Sequence, residues 1–278
     1  MPQKPWTPEE DEIIRQRGAA LTPDEIGLLL PGRTHRSVAN KKSRLGVRCG
    51  ATALDRVFRC MSEAGGILDR TLTFDALDPK VQQVIIGGLL GDGGIRKAAR
   101  EGRRGFSFGV THCPKQADYA LWKLTMLAPL HPSRFVDVNG CVRGFTASHA
   151  LFGELRRVFY ADKGRKHKAP LEWISRLDIL GFLIWWLDDG HRGRKNGVPH
   201  NYGRISVARL PLEHAKAVAG ALSERFGAPI FARESKWKGT HARHLIFNSE
   251  AFPILKPRWQ ATFKEHGLPE CMAYKVFP

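Results

Sequence analysis

The sequence predicts an α+β protein in which one αββαββα unit occurs twice, preceded by a small all-α unit. The main observation is a recurring motif: an apolar helical segment runs into Asp-Gly at 84–93 and again at 180–190. Each copy continues with a basic tract and then with the apolar–polar alternation of a strand, at 106–114 and 203–211. A supersecondary unit that recurs along one chain predicts two packed, pseudo-two-fold related copies.

The first element is a unit of 48 residues with the pattern of three short helices. Thr7 and Thr22 each precede a proline and have a glutamate three positions on, which is the capping box of a helix start. A third, basic helix is expected to begin near Thr34. This plan is typical of a helix-turn-helix, whose last helix enters the major groove of DNA. We therefore predict a DNA-binding domain at 1–48 and a linker at 49–78.

The third helix carries side chains suited to contact bases. Asn40 offers the amide that pairs with adenine, and Arg36 or Arg44 offers the guanidinium that pairs with guanine. The same three residues, together with Lys41, are equally suited to phosphate contacts, and the sequence leaves both interpretations open.

The spacing behind the two Asp-Gly pairs supports the repeat. His112 lies 20 residues past Asp92 (112 − 92), and Arg209 lies 20 past Asp189 (209 − 189). A helical stretch follows in each copy, at 116–127 and 213–226, and then an extended stretch and a serine suited to cap a last helix, Ser148 and Ser249.

The two aspartates stand where a helix disfavours acids. Each apolar segment is expected to be a buried helix closed by a glycine C-cap. An acid in its last turn faces the negative end of the helix dipole, which costs about 0.3–1 kcal/mol. Because Asp92 and Asp189 repeat this placement, we predict a bound cation at the two helix ends.

Charge points to a polyanionic partner. Lys and Arg number 44 against 27 Asp and Glu, a net charge of +17. The basic residues cluster in predicted hairpins, where the simpler interpretation is a solvated loop; their recurrence after both aspartates favours contacts to the phosphates of a duplex. The predicted contacts are Arg96, Lys97, Arg103 and Arg104 in the first copy, and Arg192, Arg194, Lys195, Arg204, Lys236 and Lys238 in the second.

Other classes are disfavoured by what the sequence lacks. Its five cysteines form no CxxC pair, so neither a zinc finger nor a disulfide scaffold is indicated. The glycines around Asp92 are not followed by the lysine and serine of a phosphate-binding loop. No signal segment or membrane-length apolar run is present. We expect a cytoplasmic, nucleoid-associated protein.

The motifs are similar to those of a known family. The segments Ile85-Ile-Gly-Gly-Leu-Leu-Gly-Asp92-Gly93 and Phe182-Leu-Ile-Trp-Trp-Leu-Asp-Asp189-Gly190 resemble the two signature helices of single-chain LAGLIDADG homing endonucleases. The ending Met272-Ala-Tyr-Lys275 is similar to that of one branch of the family. The resemblance implies repeats at 79–170 and 171–278, with saddle-shaped sheets along DNA. Separately, Trp6-Thr-Pro-Glu-Glu-Asp11 and its continuation resemble a Myb/SANT-like domain.

The family implies a monomeric, site-specific double-strand DNA endonuclease. Its acids would bind Mg²⁺ or Mn²⁺, two or more ions shared by Asp92 and Asp189. By motif, the residues expected to assist are Lys168, Lys275, His112 and Arg209, although each is also suited to a simple phosphate contact. A different class stays open on the same scaffold: an RNA-splicing maturase or a DNA-binding regulator without cleavage.

Two further expectations concern the motif helices and the origin of the chain. Gly87, Gly88 and Gly91 should let the helix backbones approach, while the bulk of the second helix, which has Ile184 and Trp185, should fill the glycine face. Asp188, next to Asp189, is as suited to a structural role as to a functional one. The termini show no intein-like junction, so a free-standing or intron-encoded protein is expected.

Overall fold

The structure is a computed structural model that describes residues 5–18, 26–27, 29–47, 69, 71–97, 105–136, 140–160, 169–195, 198–237 and 240–277. It confirms the predicted α+β class. The α-helices are α1 (Pro8–Arg17), α2 (His35–Arg44), α3 (Pro79–Leu90), α4 (Ala117–Met126), α5 (Ala150–Phe159), α6 (Leu171–Ser175), α7 (Ile179–Asp189), α8 (Leu212–Phe226) and α9 (Ala251–Glu265). The strands are β1 (Gly94–Lys97), β2 (Phe106–His112), β3 (Ser133–Val136), β4 (Val142–Phe145), β5 (Gly190–Lys195), β6 (Val198–Ser206), β7 (Ile230–Trp237) and β8 (Thr240–Phe247).

The strands form two antiparallel sheets with the same plan. The first has the order β1-β2-β4-β3 and the second the order β5-β6-β8-β7. Each sheet buries one face against helices: Phe108 and Val110 point inward from β2, and Leu245 and Phe247 from β8. The opposite faces are open, because alternate side chains of a strand point to opposite sides.

The N-terminal unit has a small core of its own, formed by Ile14, Ile26, Leu30 and Val38. The capping box at Thr7 is confirmed: its side chain accepts from the amide of Glu10, and the Glu10 carboxylate accepts from the amide of Thr7. Thr34 caps α2 as expected. The predicted second helix start at Thr22 and the middle of the linker lie outside the described residues.

Both repeats share one large hydrophobic core. Its densest part is aromatic: the rings of Trp186 and Trp259 stack with centroids 4.9 Å apart, and Phe182, Phe247 and Phe252 meet them edge-on or nearly so. Each such aromatic pair adds about 0.5–1.5 kcal/mol beyond burial. This packing fixes α7, whose last residue is Asp189, against the second sheet and α9.

The helices α3 and α7 pack side by side at the centre. A Cβ added to Gly87 would stand 2.4 Å from the carbonyl oxygen of Gly181, so the expected close approach of the two backbones is confirmed there, and Ile184 packs beside it. One turn earlier in α3, the buried Gln83 amide donates to the carbonyl of Arg176 and accepts from the amide of Asp178, both at 2.9 Å. The two helices are therefore held in one register.

Three local expectations are wrong. Gly88 faces the ring of Phe108 instead of the partner helix. The helix α5 is capped by the His149 imidazole, while Asn248 accepts from the first amides of α9, so neither serine is the cap. A ring nitrogen and an amide oxygen supply the acceptor that a hydroxyl was expected to supply.

The structure has no described helix long and apolar enough to cross a bilayer.

Candidate active site

The two repeated aspartates meet at one cavity. Asp92 is exposed and follows α3 by two residues, whereas Asp189 is half-buried and ends α7. Both line a cavity of about 360 Å³ whose wall also includes Ser206 and Arg209. The prediction that the two motif helices bring their acids to a common place therefore agrees with the geometry. The cavity opens between the ends of the central helices and the end of β6.

The glycines that follow the acids, Gly93 and Gly190, do not have the positive φ of a left-handed cap, and neither does Gly91 before Asp92. Gly91, at the C-cap of α3, has φ −94° and ψ −133°, and Gly190 has φ −73° and ψ 140°. Glycine is required at positions 93 and 190 because the backbone there lies too close to the preceding helix for a side chain. A Cβ on Gly93 would stand 2.8 Å from the carbonyl oxygen of Gly88, and one on Gly190 would stand 2.2 Å from that of Trp186. Each Asp-Gly pair thus folds the chain directly back onto the preceding helix.

Asp188 is buried and engaged in a structural network. Its side chain has no exposed surface, and Oδ1 accepts from Nζ of Lys123 at 2.5 Å. Its Oδ2 accepts from the backbone amide of Asp92 at 3.0 Å. Burial alone would raise the pKa of this carboxyl, but the Lys123 ammonium and then the nearby His112 outweigh it and lower the pKa. Asp188 therefore stays ionised.

Lys123 was missed as a site residue in the sequence. It lies in α4 with no exposed surface, and its Nζ is also 3.2 Å from Nε2 of His112. The signal was present: Tyr119, Lys123 and Leu127 recur at helical spacing along one face, and the two flanking residues are fully buried. A lysine on such an apolar stripe is rare unless it is paired.

His112 and Arg209 were expected to be equivalent, and the structure places them differently. His112 ends β2 with 3% of its surface exposed, and its Nδ1 is 3.3 Å from Oε1 of Gln116. Burial first, and then the Lys123 charge, lower the pKa of His112 to about 4. Arg209 lies three residues beyond the end of β6, exposed on the cavity wall. Equal sequence offsets do not give equal positions, because β6 ends earlier than β2 in its repeat.

Lys275 is buried at the C-terminal end of α7. Its Nζ donates to the carbonyl of Leu187 at 2.5 Å and to that of Asp188 at 3.3 Å. Burial lowers the pKa of Lys275, and the carboxylates of Asp188, Asp92 and Asp189 oppose that effect. The ammonium therefore compensates for the two acids that end the helix. Lys168 lies outside the described residues.

The open faces of the sheets carry several of the predicted DNA contacts. Arg96 is exposed on β1, with its guanidinium over the ring of Phe145, and Lys97 beside it is exposed. Arg204 is exposed at the centre of the second sheet, paired with His191 and Ile246 on neighbouring strands. Arg96 and Arg204 lie on the faces opposite the helices, whereas Lys97, the next residue after Arg96 in β1, points to the other side of the strand.

Arg192 was predicted to contact DNA, but its side chain does not lie on that open surface. Its guanidinium donates to the carbonyl of Phe277 and lies 5.7 Å from the ring of Phe252, so it packs inward against the C-terminal segment. The Phe252 ring attracts the guanidinium by a cation–π contact. Of the other predicted contacts, Arg103, Arg104 and Lys238 lie outside the described residues, and the side chains of Arg194, Lys195 and Lys236 lie outside those described.

In the N-terminal unit, Asn40 and Arg44 are exposed along α2. Lys41 is held within the domain, because its Nζ lies 2.7 Å from Oδ2 of Asp11 and 5.5 Å from the centroid of Trp6. The side chain of Arg36 lies outside those described. Two of the four predicted contacts are therefore presented outward.

The acids that could bind a metal are few. Among the residues that the structure describes, no group of three or more His, Cys, Asp or Glu side chains is placed to hold an ion. Asp92 and Asp189 form a two-carboxylate set, with Asp188 occupied by Lys123 and the Asp92 amide. A site here would need phosphate oxygens and water to complete the coordination of an ion.

Comparison with known proteins agrees with the fold. Residues 82–252 match the LAGLIDADG DNA endonuclease family. The fold resembles that of the homing endonuclease I-WcaI bound to its DNA recognition sequence, with a TM-score of 0.55 and 14% identity over 82% of this chain and 95% of the other.

Several curated relatives carry the name RecA. The chain is 28% identical over 230 residues to a RecA protein of Mycolicibacterium chitae, and 31% identical over 229 residues to one of Mycolicibacterium flavescens. Each match covers 78% of this chain and 52% of the relative, so the chain spans about half the length of these relatives.

Proposed function

The chain belongs to the LAGLIDADG DNA endonuclease family, and we propose that it is a metal-dependent endonuclease that cuts both strands of duplex DNA at a specific site. The observation that carries the proposal is that Asp92 and Asp189, which end the two central helices, line one cavity. Two strands require two cuts, and one acid per helix end supplies one carboxylate near each cut.

The two carboxylates fit Mg²⁺ or Mn²⁺. Mg²⁺ is commonly held by one or two carboxylates together with substrate phosphates and water, and this pair at the cavity offers that set. Such an ion activates the attacking water and stabilises the leaving oxygen. The chain contributes more than ligands: Arg209 lies where it can contact a phosphate, and the buried Lys275 holds the end of α7 in place.

Duplex DNA is the proposed partner. The open sheet faces carry Arg96 and Arg204, Lys97 is exposed on the edge strand β1, and the whole chain has a net charge of +17. Arginine and lysine on such a surface neutralise phosphates and release counterions. We propose that the N-terminal unit is a Myb/SANT-like helix-turn-helix that adds contacts through Asn40 and Arg44. The two sheets on a single chain support action as a monomer.

The RecA relatives do not suggest an ATP-dependent activity for this chain. A nucleotide-binding loop requires the pattern Gly-x4-Gly-Lys-Ser/Thr, and no Gly-Lys pair occurs anywhere in the sequence. The family match at 82–252 falls in the repeats. We infer that the similarity lies in an endonuclease-like segment within those longer chains. The expectation of a free-standing or intron-encoded protein stays a prediction.

A cleavage screen tests the proposal. The wild type is incubated with a supercoiled plasmid library that carries random inserts, with Mg²⁺ or with EDTA, and linear products are sequenced. We expect cleavage at a defined sequence with Mg²⁺ alone, and a loss of at least about a hundredfold for Asp92→Asn and for Asp189→Asn. Asp118→Asn, an exposed acid in α4, is the matched control and should cleave like the wild type.

The outcome also decides between the proposal and its alternative. Cleavage that survives both Asp92→Asn and Asp189→Asn would overturn the assignment of the site. Sequence-specific DNA or RNA binding without cleavage would favour a maturase or a regulator. The small number of metal-ligand side chains among the described residues is the observation that keeps this second candidate open.

A further inference from the structure

The ion pair between Lys123 and Asp188 joins the two repeats. Lys123 belongs to α4 in the first repeat and Asp188 to α7 in the second, and neither side chain has any exposed surface. The carboxylate does more than balance the ammonium, because its second oxygen accepts from the backbone amide of Asp92 at 3.0 Å. A residue of the second repeat therefore holds the main chain at the acid of the first.

Stability alone does not account for this pair. Removing two charges from water costs several kcal/mol per ion, and an apolar pair of similar size is often as stable or more so. The position of Asp188 is also demanding. A Cβ on Gly91 would stand 2.5 Å from the Cβ of Asp188, so the chain has no side chain there and the carboxylate fills the space. The absence of a side chain at Gly91 lets the Asp188 carboxylate reach the Asp92 amide.

The arrangement exists on one side only. The position that corresponds to Asp188 in the first repeat is Gly91, one residue before Asp92. In α8, the helix that corresponds to α4, the lysine is Lys216, which is exposed and paired with Glu213. Because the first repeat has glycine where the second has Asp188, and α8 has no buried lysine, the same ion pair cannot form in the opposite direction. The two repeats share a sheet plan, but they do not share this contact.

A direct role of Asp188 in binding an ion is disfavoured by its contacts. Both carboxylate oxygens already have partners, Oδ1 with Lys123 and Oδ2 with the Asp92 amide. The side chain is closed to solvent. What the pair can do is fix the turn from α3 to β1, and with it the direction in which the Asp92 carboxylate leaves the backbone.

We propose that Lys123 and Asp188 are positioning residues that hold Asp92 at the cavity, so that one of the two strand cuts depends on this ion pair more than the other. The proposal rests on the proposed endonuclease function. Misplacement of a reacting group by about 1 Å can reduce a rate about a hundredfold. Loss of the pair therefore acts on the cut nearest Asp92 and affects the cut nearest Asp189 less.

The test uses the full-length double variant Lys123→Met/Asp188→Ala, which removes both charges and leaves neither one buried alone. Lys216→Met, an exposed lysine of α8 paired with Glu213, is the control. The first readout is hydrogen exchange of the segment around Asp92, without DNA or metal. We expect the backbone amide of Asp92 to exchange at least about fivefold faster in the double variant, because it loses the Asp188 carboxylate as its acceptor. The control should show no change.

The second readout is the nicking rate of each strand. It is measured on an intact duplex that contains the target sequence, with the label on one strand at a time. We expect the ratio of the two rates to change by about tenfold or more. Equal slowing of both strands, or unchanged exchange at Asp92, would overturn the positioning role. Faster exchange in a protein whose wild type never cuts DNA would instead contradict the proposed function, so the two failures are distinguishable.

If the double variant proves too unstable to assay, Lys123→Met/Asp188→Leu keeps the test decisive, because leucine fills the space that alanine leaves empty. That variant also leaves neither charge buried alone, and it removes the acceptor of the Asp92 amide. Faster exchange at Asp92 supports the positioning role of the pair, and wild-type exchange refutes it. The melting temperature of each variant, compared with that of Lys216→Met, shows whether any change is general or confined to the site.

Discussion

Gly87 in α3 and Gly181 in α7 approach so closely that a Cβ on the first would stand 2.4 Å from the carbonyl oxygen of the second. The contact lies near the start of α7, where Gln83 bonds to Arg176 and Asp178, which precede that helix. It sets the separation of the two central helices, and through it the separation of the helix ends that carry Asp92 and Asp189.

Gly87→Ala should therefore destabilise the protein, although alanine is the better helix former by about 1 kcal/mol. The added methyl meets backbone, which cannot rotate away, and such overpacking costs about 1–3 kcal/mol. Gly220→Ala is the matched control, because that glycine is in α8 and has nothing within 4 Å of an added Cβ. Thermal unfolding should show a lower melting temperature for the first variant and an equal or higher one for the second.

His112 should make stability fall in mild acid. Its pKa is lowered from 6.5 to about 4 in the folded protein. Between these values the unfolded chain binds a proton that the folded protein does not, so stability is full above 6.5 and declines as the pH falls toward 4. The loss attributable to this residue is about 2 kcal/mol near pH 5.

Urea unfolding of the wild type and of His112→Gln, at neutral pH and near pH 5, measures that contribution. The variant should lose less stability on acidification than the wild type. Parallel losses in the two proteins would show that the His112 imidazole is not the titrating group.

Arg204→Ala should weaken DNA binding through the loss of a phosphate contact. Arg204 is exposed on the open face of the second sheet. If it contacts one phosphate, the slope of log K against log salt should become shallower by about 0.9. Lys216→Met removes one positive charge from the helical side and should leave the slope as it is. Titrations at several salt concentrations, with Ca²⁺ in place of Mg²⁺, provide the comparison.

Deletion of residues 1–48 should weaken DNA binding and leave the cleavage chemistry intact. The N-terminal unit has its own core, distinct from that of the repeats. We expect a lower affinity and a smaller salt slope, with cleavage retained on saturating DNA. Complete loss of cleavage under those conditions would show that the N-terminal unit is needed for the site itself.

The sequence predicted the repeated elements well, because their signals are local. Periodicity defines α3, α7 and β2, and the capping box at Thr7 occurs where it was expected. The Asp-Gly pairs led to the two acids of the cavity. Such features depend on residues that are neighbours in the chain.

What the sequence did not predict depends on contacts between distant segments. Lys123 and Asp188 are 65 residues apart in the chain, and only the tertiary fold brings their side chains together. Arg192 turns inward because the C-terminal segment offers a carbonyl there. The glycines after the acids were predicted to be left-handed caps, and they are instead points where the chain folds tightly onto its own helix.

The replacement of a side chain by glycine at position 91 has a consequence for engineering. Designers who build symmetric enzymes often fuse two copies of one half. Two copies of the first half would have glycine on both sides, with neither carboxylate available to Lys123. Two copies of the second half would bring two carboxylates into a space that fits one, without a buried lysine from α8 to neutralise them. The two halves of this chain therefore cannot replace each other. An engineered version must keep Gly91 in the first half and Asp188 in the second.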